Sequence, residues 1–73
     1  MKIRYDPQVD ALYIRLIDGP IEVTTQRLSE DVAVDYGPSG AVVGIEVLDA
    51  TENVFHSRVE RSVLIENLIA VTH

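Results

Sequence analysis

Apolar and polar positions alternate with period two through most of the first fifty residues. Leu12, Ile14 and Leu16 alternate with Tyr13 and Arg15, and Ile21 and Val23 with Glu22 and Thr24. Val32, Val34 and Tyr36 alternate with Asp31, Ala33 and Asp35, and Val43, Ile45 and Val47 with Gly44 and Glu46. Successive strand side chains point to opposite faces, so this pattern predicts half-buried antiparallel strands. Turn residues separate them: Asp6-Pro7, Asp18-Gly19-Pro20 and Tyr36-Gly37-Pro38-Ser39-Gly40. With Ile3 to Tyr5 as a short first strand, residues 2–49 read as a β-meander of four to five strands. One face is packed, and the other carries Arg4, Arg15, Glu22, Asp35 and Glu46.

The period changes after residue 49. Asp49-Ala50-Thr51-Glu52-Asn53 has the acidic start of a helix, with Asp49 or Thr51 as the N-cap. Val54, Phe55, Val59 and Val63 share one broad helical face. Beyond Ser62, Val63, Ile65, Ile69 and Val71 alternate like a strand, while Leu64, Leu68 and Val71 fit a helix equally well. The expected fold is therefore α+β: a small antiparallel meander, one helix at about 50–60 near the C-terminus, and a final strand at about 62–71.

Seventy-three residues are expected to form one small domain, residues 1–73. Val, Ile and Leu number 11, 7 and 6. A domain of this size buries only about 60% of the surface its unfolded chain exposes. The absence of cysteine excludes disulfides, thiolate metal sites and a cysteine nucleophile. The apolar stretch Val63, Leu64, Ile65, Leu68, Ile69 and Val71 thus becomes the interface candidate, and a homo-oligomer, dimer or larger, the expected state.

Twelve acidic and six basic side chains give a net charge of −6. Nucleic-acid affinity comes mostly from Lys and Arg neutralising phosphates, so neither nucleic acid nor an anionic membrane is an expected partner. A basic protein partner fits the charge. Met1–Asp6 has no apolar signal-peptide core, and no apolar run approaches the about 18 residues of a membrane span, so a cytoplasmic protein is expected.

Lys2-Ile3-Arg4-Tyr5-Asp6-Pro7 followed by Val9-Asp10-Ala11-Leu12-Tyr13-Ile14-Arg15-Leu16 resembles the opening signature of the domain-of-unknown-function family 2283. Val32-Ala33-Val34-Asp35-Tyr36 and Val42-Val43-Gly44-Ile45-Glu46-Val47-Leu48-Asp49-Ala50 resemble its closing signature. The resemblance covers residues 1–50, and the signature positions are Tyr5, Asp6, Asp10, Tyr13, Asp35, Gly44, Glu46 and Asp49. It implies a small, mainly bacterial, β-rich protein with a helix, and it carries over no catalytic residue. Some members of the family look like the acidic partner of a small ribonuclease-like toxin, which implies an antitoxin-like role.

Candidate chemistry is sparse. Asp6, Asp10, Asp35 and Glu46 could hold Ca²⁺ or Mg²⁺ if they converged, but none of the spacing matches an EF-hand loop. The plainer expectation is that Asp6 and Asp10 brace their turn, Asp49 caps the helix, and Asp35 and Glu46 pair with Arg4 or Arg15. Glu52, His56 and Glu60 have helical i, i+4 spacing, read as a solvated face rather than a metal site. No metal or other cofactor is expected. Gly44 inside a β-branched run marks a bulge or a close approach, by the ring of Tyr5 or Tyr13. Tyr5, Tyr13 and Tyr36 are expected to form a small aromatic cluster. A chain this short has little wall for a pocket of the usual about 300–1,000 Å³, so a non-enzymatic, self-associating interaction module is the expected function.

Overall fold

A computed structural model describes residues 1–56 and 60–64 of the chain. Five strands form one sheet: β1 (Lys2–Asp6), β2 (Ala11–Arg15), β3 (Thr24–Arg27), β4 (Val32–Tyr36) and β5 (Val42–Val47). All neighbours are antiparallel, in the order β1-β2-β5-β4-β3. The sheet is therefore not the simple meander that the alternation predicts. The last strand inserts between β2 and β4.

The connection after β2 explains the insertion. Instead of a tight hairpin at Asp18-Gly19-Pro20, the backbone N–H groups of Leu16 and Ile17 both donate to the Val43 carbonyl, at 2.7 and 3.4 Å. These bonds carry the chain along β5. Pro20 has no N–H with which to begin a strand ladder. The third strand starts at Thr24 rather than Ile21, and Ile21 packs near Gly37 from the loop. Its Thr24-Thr25-Gln26-Arg27 sequence is exposed throughout and has no apolar alternation.

Pairing register aligns the apolar residues in rows across the sheet. Tyr5 faces Leu12, Leu12 faces Val47, and Val47 faces Val32. Ile3, Ile14, Ile45 and Val34 form the second row. Leu12, Val34 and Val43 are buried, and Val43 is the most enclosed large side chain at 1% exposure. The register of β4 on β5 slips at Asp35/Tyr36, so that Tyr36 faces Val42 and Val43 lies at a bulge.

The expected helix at about 50–60 is corrected to a single π turn, Thr51–Phe55. Ala50 precedes it without any side-chain cap from Asp49. His56 closes it in the left-handed region, at φ 59°. That break also separates Glu52, His56 and Glu60, which do not share a helical face. Residues 60–64 have no regular structure, so the beginning of the expected final strand is absent there. Ile65, Leu68, Ile69 and Val71 lie outside the described residues. Among the described residues no helix is long and apolar enough to cross a membrane.

Candidate functional site

Eight signature positions lie in two hydrogen-bonded groups and their flanks. The first group joins the β1–β2 turn to the segment after β5. Asp10 sits at φ 53°, which turns its backbone away from the strands. Its Oδ1 accepts from the Tyr5 hydroxyl at 2.6 Å and the Thr51 hydroxyl at 2.8 Å, and the Thr51 N–H lies 3.1 Å from each carboxylate oxygen. The Asp10 carbonyl accepts from the Ala50 N–H at 2.9 Å. Asp10 therefore ties two segments some forty residues apart rather than bracing its own turn. The Tyr5 hydroxyl foremost, then Thr51 and the Arg61 charge, hold its carboxyl below the usual range against partial desolvation.

Asp6 does brace its turn, accepting from the Gln8 N–H at 2.9 Å. Asp49 lies in the left-handed region at φ 51°, and its carbonyl accepts from the Asn53 N–H. The Tyr5 ring meets Phe55 edge-on, with centroids 5.3 Å apart, and the Arg61 guanidinium lies 4.8 Å above it. The expected cluster of three tyrosines is not formed. Register places Tyr5 with Leu12 on the apolar face, which leaves Tyr13 on the polar one.

The second group crosses the polar face. Tyr13 passes over Gly44 and donates to Asp35 Oδ2 at 2.7 Å, while Thr25 donates to Asp35 Oδ1 at 2.5 Å. One chain of hydrogen bonds thus links β2, β4 and β3 across β5. Gly44 admits it: a Cβ there would lie 2.1 Å from the Tyr13 hydroxyl oxygen and 2.5 Å from the ring carbon bearing it. The close approach expected of Gly44 is made by Tyr13. The bond to Asp35, with burial and negative neighbours, pushes the Tyr13 phenol up from its ordinary range.

Glu46 faces Tyr13 across β2 and β5, on the same side of the sheet. Asp35 does not pair with Arg4 or Arg15, because its two oxygens serve Tyr13 and Thr25. Arg15 instead donates from Nε to the Ile17 carbonyl at 2.8 Å and from Nη2 to the Gly19 carbonyl. The four candidate metal ligands Asp6, Asp10, Asp35 and Glu46 are not brought together. Among the described residues no group of three or more His, Cys, Asp or Glu could hold a metal ion.

Beside Tyr13 the polar face holds a pocket of about 330 Å³, lined by Lys2, Arg4, Tyr13, Arg15, Asp18 and Gly19. Chain length alone had argued against such a cavity. The β1–β2 register supplies it, setting Lys2 opposite Arg15 and Arg4 opposite Tyr13. The loop after β2 closes one side. The signal was present in the sequence: once Tyr5 faces Leu12, the other pairings follow by counting outward. Thr25 carries no comparable signal and Thr51 only that of a helix cap, because each acts through a partner on another segment.

A family model described as a protein of unknown function, DUF2283, matches residues 2–50. That span contains both hydrogen-bonded groups except Thr51, and all of the pocket. No curated protein and no solved structure matches the chain.

Proposed function

The chain belongs to the DUF2283 family, and from that premise we propose that it is a non-enzymatic interaction module working as a homo-oligomer in the cytoplasm. The observation that carries this reading is the one-sided sheet. Its apolar rows run from β1 to β4, one beginning at Tyr5 and the other at Ile3, and among the described residues only one π turn follows them. Ile3 and Leu16, at one end of the apolar face, are 37% and 40% exposed. Val63 and Leu64 are 50% and 81% exposed. A second copy of the chain is the occupant proposed for this exposed edge, since like apolar patches pair about a two-fold axis.

The polar face supports the non-enzymatic part. Tyr13 and Asp35 are bonded to each other, and Asp10 accepts from Tyr5 and Thr51, which favours a structural role for these carboxylates over proton transfer. A basic protein, as an antitoxin-like module would neutralise, is the second reading, and the net charge of −6 favours it. Light scattering on the full chain, with Ile3→Glu beside it, tests the first reading. The native chain is expected to be dimeric or larger, and the variant folded but smaller. If both have the mass of one chain, the reading fails.

A further inference from the structure

We propose that the pocket bounded by Lys2, Arg4, Arg15 and the Tyr13 ring is a binding site for the phosphate group of a small phosphate monoester. The acids of this chain outnumber its bases two to one, yet three of its six basic residues line one pocket. Register sets Lys2 directly opposite Arg15. Like charges facing each other across antiparallel strands oppose pairing, so this arrangement does not serve the sheet.

Neither Lys2 nor Arg4 has a carboxylate partner among the described residues. Asp18, the acid in the lining, accepts instead from the Met1 amino group at 3.3 Å. Arg15 is held by two loop carbonyls, which leaves the rest of its planar fork for an oxyanion. The Tyr13 ring is fixed in turn by Asp35 and gives the pocket a rigid wall.

Guanidinium groups recognise phosphate through paired, charge-assisted N–H···O bonds. The ring wall suits an organic body attached to that phosphate. The surrounding net charge of −6 repels a long polyanion, which favours a small ligand over nucleic acid.

Titration of the full chain with phenyl phosphate and with inorganic phosphate, followed by amide NMR in low salt, tests the assignment. Saturable shifts at Arg15 and Gly19 are expected, with phenyl phosphate the tighter ligand. Arg4→Gln and Lys2→Gln should each weaken it by about tenfold. Arg27→Gln removes the same charge elsewhere on the chain and should leave it unchanged. No saturation by about 10 mM phenyl phosphate, or equal weakening by Arg27→Gln, would overturn the site. Equal affinity for inorganic phosphate would overturn the ester assignment. These outcomes are independent of oligomeric state.

Discussion

Gly44 and Tyr13 occupy one volume, and neither can be explained without the other. Adding one methyl group at Gly44 would place it 2.1 Å from the tyrosine oxygen and 2.5 Å from the ring. The ring must leave, and the bonds that hold Asp35 leave with it. Gly44→Ala is therefore expected to destabilise the fold by about 1–3 kcal/mol, an overpacking cost. Tyr13→Ala should remove most of that penalty, giving strong non-additivity in a double-mutant cycle read by urea denaturation. Asp10 acts at the same scale but through charge. Its folded carboxyl lies below the unfolded value of 3.8. The stability it contributes is thus complete above pH 3.8 and is lost as pH falls through the depressed folded value. Asp10→Asn should lower stability at neutral pH and flatten the acid limb of a stability profile; an unchanged limb would show that Asp10 is not the residue responsible. The sequence marked Gly44, Tyr13 and Asp10 as notable because a glycine in a β-branched run and an aspartate at a turn are local signals. It does not mark Thr25, and it marks Thr51 only as a helix cap, because their roles depend on register and on a contact across forty-one positions.

At the scale of elements, legibility followed the strength of the alternation. Four strands with aliphatic alternation are found close to their expected places: Ile3–Tyr5 within β1, and most of β2, β4 and β5. The third strand lies later than the alternation predicts, because Ile21 and Val23 alternate without forming a strand, whereas Thr24–Arg27 forms one without alternating. Pairing with β4 determines that strand, and its exposed outer edge asks for no apolar residue. The strand order departs from a simple meander because it depends on the chain after Arg15 running along β5, through bonds that no local pattern encodes. The expected helix fails at His56, where the backbone turns left-handed. Stability should grade across the sheet accordingly. Amide exchange is expected to be slowest in β5, which is paired on both sides and contains Val43, and fastest in β3. Exchange in β3 as slow as in β5 would refute this ranking.

For the whole molecule, the two faces of one sheet divide the work. The polar face is closed by its own hydrogen bonds and holds a cationic pocket. The apolar face carries two apolar rows and ends in exposed Ile3 and Leu16. Which end of this face is exposed is not legible in the chain, because it depends on which strand lies at the edge. Under the proposed self-association, a second copy of the chain covers this exposed end. The most direct test is multi-angle light scattering of the full-length chain over a micromolar dilution series. Self-association predicts a mass at or above twice the 8.1 kDa of one chain, falling toward one chain only on dilution. A single-chain mass at every concentration, with the apolar rows fully protected from exchange, would contradict it.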